Sequence, residues 1–189
     1  MKQNTKAANH LDELEINRLL RYLREKKIWE YYLIVRLGIA TALRFSDLSS
    51  LCWTQLLGSK HLEIKEKKTN KTRTIPLCND LQVDLAMIYE KLGRPEMNVP
   101  AIKLNIRSVN KRIKVLAHEA GIKKSNISTH TWRKSFGRIV WERQGCSEGS
   151  LVILSHLFNH SSTSITRIYL DITKEEVEDL YSVMEVSIY

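Results

Sequence analysis

Apolar residues recur at helical spacing from Asp12 onward, with Ile16, Leu19, Leu20 and Leu23 on one face. A second stretch, about 28–42, is apolar on most sides and predicts a helix that is largely buried. Arg44 to Leu51, RFSDLSSL, reads as a short helix start with Leu43, Leu48 and Leu51 facing inward. Between 61 and 77 the pattern changes: HLEIKEKK and KTRTIPL flank the turn-prone pair Thr69–Asn70, which predicts a β-hairpin with a basic tip. Helical spacing returns over about 79–92, over 106–120 with Asn105 or Ser108 as its cap, over 130–144 and over 147–158. The polar, Ser/Thr-rich stretch 159–168 reads as a flexible approach to Tyr169. A last helix is expected over 173–185, opened by Thr173 and Glu176 in capping-box spacing. The fold class is therefore mainly α with a small antiparallel β-hairpin, an α+β domain.

With 189 residues, 43% hydrophobic and 27% charged, the chain is long enough for one sizeable core. Residues 1–10 read as a flexible lead-in and 11–189 as the domain. The longest apolar run, YYLIVRLGIATAL, is too short for a bilayer, and MKQNTKAANH shows no apolar segment of a secretory signal, so no membrane partner is expected. Cys52, Cys78 and Cys146 are odd in number and scattered, which argues against a disulfide framework or a zinc site and suits a reducing cytoplasm. A net charge of +9 favours a polyanionic partner, of which nucleic acid is the commonest. The charge is segregated: basic residues concentrate at 60–73 and 103–143, while 171–185 is acidic.

Breaking a phosphodiester without a metal requires a nucleophile, cations on the non-bridging oxygens and an acid for the leaving oxygen. Arginine suits the phosphate because its planar fork donates two parallel hydrogen bonds and never loses its charge. The chain supplies candidates for each role. His156 and His160 also stand four apart, a spacing that suits a metal pair on a helix, but no nearby Cys or carboxylate completes a ligand set, and no cofactor is expected.

The motifs carrying these candidates resemble those of the tyrosine recombinase (phage integrase) family. TALRFSDLSSLCW resembles its first signature, with Arg44 followed three residues later by Asp47. STHTWRKSFG resembles the second, His-x-x-Arg, with His130 and Arg133. LFNHSSTSITRIYL resembles the third, with His160 and Tyr169 nine residues on. In KKTNKTRTIPL, Lys68 matches the family's hairpin lysine, and Lys67 or Lys71 takes its place if the turn slips. Two positions depart from the pattern: Asn159 stands where glycine is usual and Lys134 where many members have histidine. Asparagine is the next most tolerant residue at positive φ, so it can form the same turn.

The resemblance, spanning about 11–185, implies the tyrosine recombinase catalytic-domain fold and a metal-independent DNA strand transferase. It assigns Tyr169 as nucleophile, Arg44 and Arg133 as the phosphate clamp and Lys68 as the acid for the 5′ oxygen. His130 would assist proton transfer at the tyrosine, and His160 would hydrogen-bond the phosphate. It implies double-stranded DNA as partner and a tetramer on DNA, with Ile172, Val177, Leu180, Val183 and Met184 giving the last segment a stripe that either docks on a neighbouring subunit or folds back. Typical members carry a further N-terminal helical domain, so the chain is expected to be either a fragment or one of the short members. A type IB topoisomerase-like activity and a non-catalytic DNA-binding regulator are the alternatives. Without the other motifs, Arg44 reads as a structural ion pair with Asp47.

Overall fold

The computed structural model describes residues 7–172, so the helix expected at 173–185, its capping box and its apolar stripe lie outside the described residues. The chain divides into two compact units, Met1–Ile139 and Val140–Tyr189. Its elements run α1 (Glu13–Glu25), α2 (Trp29–Thr41), α3 (Phe45–Leu48), α4 (Trp53–Leu56), β1 (His61–Lys65), β2 (Thr72–Pro76), α5 (Asn79–Lys91), α6 (Ile106–Glu119), α7 (Thr129–Arg143), α8 (Glu148–Phe158) and α9 (Thr163–Tyr169). Among the described residues no helix is long and apolar enough to cross a membrane.

The first unit is built around α2. Leu33, Ile34, Val35 and Leu37 are fully buried, so the nearly all-round apolar stretch sits in the core. Around it pack Ile16, Leu19 and Leu23 of α1, Leu81, Leu85 and Ile88 of α5, and Val109, Ile113 and Leu116 of α6. Asp12 starts α1 by accepting from the Glu15 amide at 2.8 Å, while the Glu15 carboxylate accepts from the Asp12 amide at 3.0 Å. Of the two candidate caps for α6, Asn105 is the one used, accepting from the Ser108 amide at 2.9 Å. Residues ahead of α1 are tied to the same unit: the Asn9 amide donates to the Asn126 carbonyl at 2.9 Å and Lys134 Nζ to the Ala8 carbonyl at 2.9 Å.

The hairpin forms as expected. β1 and β2 pair antiparallel, from His61 opposite Pro76 to Lys65 opposite Thr72. Leu62, Ile64 and Ile75 turn inward and their neighbours outward, the period-two pattern of a sheet with one covered face. The tip closes by a bond from the Glu66 amide to the Lys71 carbonyl at 2.9 Å, with Asn70 at φ 56°.

In the second unit, Ser147 caps α8 by accepting from Ser150 at 3.2 Å. The α8 helix ends at Asn159, whose φ of 54° and ψ of 49° realise the left-handed turn expected where the family has glycine. The following His160 amide closes the turn on the Ser155 carbonyl at 2.9 Å. The segment read as a flexible approach to Tyr169 is instead helical from Thr163: Ser162 caps α9 through the Ile165 amide at 3.3 Å, and Arg167 pairs with Glu148. Buried Thr166 on α9 and Leu170 at its C-cap stand four apart, and a polar residue at the first of these positions hides the apolar period. The short α4 was likewise not anticipated; it buries Trp53 and Leu56 three apart.

One close approach sets the position of α7. A β-carbon on Gly38 of α2 would stand 2.7 Å from Trp132 Cδ1 and 2.9 Å from Trp132 Cβ, so the glycine is required by space. Replacing Gly38 by Ala gains about 1 kcal/mol of helix propensity. It also overpacks a contact with a large, 1% exposed indole, at a cost of roughly 1–3 kcal/mol. The steric term is expected to win, so Gly38→Ala should lower the melting temperature measured by circular dichroism. An unchanged or higher value would show that Trp132 can move aside freely.

Candidate active site

Four of the six candidate residues belong to the first unit. Arg44 is the N-cap residue of α3, presented there by the turn at Ala42, whose φ is 53°. Lys68 is exposed at the hairpin tip. His130 and Arg133 stand three apart on the first turns of α7 and so share a face. That helix start is held by the Thr129 amide donating to Asn110 Oδ1 at 2.8 Å and by the Ser128 amide donating to Thr131 Oγ1 at 3.0 Å. Arg133, 3% exposed, donates from Nη1 to the Ala42 carbonyl at 2.5 Å, which ties α7 to the turn two residues before Arg44.

The charges of three of these side chains bear on His130. The residue is exposed by surface area, yet enough protein surrounds the ring to desolvate it. Burial, and then the charges of Arg133, Arg44 and Lys68 in that order, hold its imidazole below the ordinary value of 6.5. Of the three tip lysines considered, Lys68 is the one whose charge bears on His130. A cluster of three cations around an imidazole kept neutral at pH 7 combines anion-binding capacity with a proton acceptor.

Two carboxylates organise the cluster. Asp47, fully buried, accepts from the Lys67 amide through Oδ1 at 2.9 Å, which fixes the hairpin next to Lys68. The Arg44–Asp47 ion pair weighed from the sequence does not form; Arg44 Nη1 instead meets Glu66 Oε2 at 2.8 Å. Glu66 escaped notice in the sequence because it lies in a run of charged residues. Its signal was the strand period: it follows Leu62 and Ile64 by steps of two and is 3% exposed. Burial pushes the Glu66 carboxyl pKa up. Hydrogen bonds from Arg73 and Thr69 and the charges of Arg73 and Arg44 outweigh that and hold it below its usual 4.5.

The other two candidates belong to the second unit. His160 and Tyr169 stack edge to face at 5.2 Å between ring centroids, and Phe158 packs on both, at 5.5 and 5.4 Å. His160 Nδ1 lies 3.0 Å from Thr166 Oγ1, so the histidine is tied to the helix that carries the tyrosine. His156 is exposed, and among the described residues no three His, Cys, Asp or Glu stand together in a way that would hold a metal ion.

The model of the phage integrase family matches residues 9–176. The chain belongs to the phage integrase family. This integrase-family chain is 30% identical over 175 residues to the probable integrase/recombinase YoeC of Bacillus subtilis strain 168, covering 89% of itself and 92% of that protein. It is 30% identical over 180 residues to tyrosine recombinase XerA of Pyrococcus furiosus, covering 89% of itself but 59% of XerA. Among solved structures, XerA recombinase matches with a TM-score of 0.71 at 19% identity, over 97% of this chain and 66% of that one. The catalytic domain of bacteriophage HP1 integrase matches with a TM-score of 0.58 at 21% identity, over 95% and 97% of the two chains. The fold is that of a tyrosine recombinase catalytic domain, and membership of the phage integrase family supports site-specific DNA recombination as the class of function.

The depressed pKa of His130 has a thermodynamic consequence. The folded integrase-family domain binds fewer protons at this site than the unfolded chain, so the site's contribution to folding is unpenalised above pH 6.5 and falls as pH drops from 6.5 toward the lower folded-state value. Denaturant titrations at several pH values should show this slope in the native sequence and a flatter one in His130→Asn. A proton-NMR titration of His130 with a midpoint at or above 6.5 would contradict the electrostatic cluster.

Proposed function

We propose that this chain is the catalytic domain of a site-specific DNA recombinase that cuts and rejoins DNA through Tyr169 without a metal. The observation that supports this most directly is the convergence of Arg44, Lys68 and Arg133 on His130, because it pairs phosphate-binding cations with a neutral base in one face of the first unit.

The chemistry follows from the side chains. The Tyr169 hydroxyl oxygen attacks phosphorus as His130, neutral at pH 7, takes up its proton. The bond from phosphorus to the 5′ oxygen breaks, and the departing oxygen takes a proton from the Lys68 ammonium. Arg44 and Arg133 bind the non-bridging oxygens, on which charge grows, and His160 adds a hydrogen bond there. The product is a 3′-phosphotyrosyl diester and a free 5′-hydroxyl. One ester has replaced another, so a 5′-hydroxyl from a second strand reverses the step without ATP. Loss of one arginine donor should cost on the order of 2.7–4 kcal/mol of transition-state stabilisation, or roughly 10²–10³ in rate.

Double-stranded DNA is the partner that suits a +9 chain with this chemistry. The XerH recombinase bound to its difH substrate matches with a TM-score of 0.67 and the lambda integrase tetramer on a Holliday junction with 0.59, and we extend DNA binding and assembly on DNA to this chain by that likeness of fold.

The test uses a library of nicked duplexes with randomised flanks, in which cleavage releases a short fragment and traps the covalent product. The native protein should give an SDS-resistant DNA adduct that persists in EDTA, and Tyr169→Phe should give none. An adduct formed by Tyr169→Phe would remove the nucleophile assignment, and loss of the native adduct in EDTA would point to metal-dependent chemistry.

A further inference from the structure

Glu66 is a charged residue placed where the strand pattern calls for an apolar one, and no step of the proposed reaction uses it. Its side chain is 3% exposed, and both carboxylate oxygens are engaged. Oε1 receives Arg73 Nη1 at 2.7 Å. Oε2 receives two donors: Arg44 Nη1 at 2.8 Å and Thr69 Oγ1 at 3.1 Å. One oxygen therefore joins a clamp arginine to the residue that follows Lys68. The backbone carries the same connection, since the Glu66 carbonyl accepts from Asn70 at 2.8 Å and its amide donates to Lys71 at 2.9 Å, closing the turn around Lys67–Asn70.

A buried carboxylate is costly to desolvate, and replacing such a group by an apolar one is often neutral for stability. Its presence here calls for a role in arrangement. A hairpin tip of exposed residues is a poor platform for a proton donor, because small displacements of a donor cost large factors in rate. Arg44 is fixed by the core at the start of α3. Bridging the tip to Arg44 through one oxygen refers the position of Lys68 to the residue that binds the phosphate.

We propose that Glu66 is a positioning residue that registers the Lys68 turn on Arg44, so that proton delivery to the leaving 5′ oxygen is aligned with the bound phosphate. The assignment rests on the recombinase chemistry proposed above. The Glu66 bond engages Arg44 through Nη1, one of the three nitrogens of a guanidinium.

The discriminating measurement compares two leaving groups. On a duplex recovered from the adduct library, the scissile 5′-bridging oxygen is replaced by sulfur, whose thiolate departs without needing a proton. Adduct formation is then timed on both duplexes with the native chain, Glu66→Gln and Thr69→Val. Glu66→Gln should slow the oxygen substrate by on the order of a hundredfold and Thr69→Val by about tenfold, with both close to native rates on sulfur. Partial misfolding lowers the active fraction equally for both leaving groups, so the ratio of the two rates is insensitive to it. Thr69→Val changes a half-buried surface residue and keeps the test available if Glu66→Gln folds poorly. Equal slowing on oxygen and sulfur in both variants, or none on either, would overturn the positioning role while native adduct formation left the recombinase reading standing. Absence of any adduct with the native chain would overturn both.

Discussion

The arrangement of the first unit depends on how closely α7 can approach α2. At Gly38 the two helices meet with no room for a methyl group, and the Trp132 indole lies directly against the α2 backbone. Trp132 sits between His130 and Arg133 in the sequence, so the side chain that seals the core also fixes the helix turn bearing both residues. The Arg133–Ala42 bond adds a polar tie at the same junction and carries the register from α7 to Arg44. Packing and chemistry are thus one constraint: the residues that gather the cations are held by a contact that tolerates almost no change in volume.

Gathering cations costs energy, and the structure offsets it with buried carboxylates instead of dispersing the charge. Glu66 balances Arg44 and Arg73 directly, and Asp47 acts on the backbone of the lysine-bearing tip. Its other oxygen, Asp47 Oδ2, is buried without a hydrogen-bond partner, a cost the fold accepts in order to hold the hairpin against α3. His130 responds in the opposite sense. Burial, and then the three cations near it, make a proton costly there, so it stays neutral, the state in which an imidazole accepts a proton. The depressed pKa thus reflects burial first and the charges of Arg133, Arg44 and Lys68 after it.

Much of this was legible in the chain. The long periodic helices, the hairpin, the αL turn at Asn159 and the family motifs all follow from local patterns, and long strong patterns survive tertiary packing. Among the features that did not come through, three have a clear physical reason. α9 buries Thr166, so its apolar period is interrupted by a hydroxyl that has found His160 as its partner. Glu66 is camouflaged by its charged neighbours, although the two-residue step from Ile64 places it inside. Arg44 pairs with Glu66, 22 residues away and just past β1, and not with Asp47 three residues on, and no sequence spacing encodes that choice.

The tyrosine helix shows why two of the motif residues should not be read by chemistry alone. α9 has seven residues, too few for a helix to persist on its own propensity. Its order comes from specific ties: the Ser162 cap, the Arg167–Glu148 pair, the Thr166–His160 bond and the ring cluster of Phe158, His160 and Tyr169. His160 takes part in two of these. A substitution there would remove a ligand proposed for the phosphate and at the same time loosen the helix that presents the nucleophile. Loss of activity in such a variant could not be divided between the two effects, whereas Tyr169→Phe keeps the ring in its cluster and deletes only the oxygen. The position that looks most catalytic by motif is thus also a structural fastener, and the phenol oxygen is where function separates cleanly from fold.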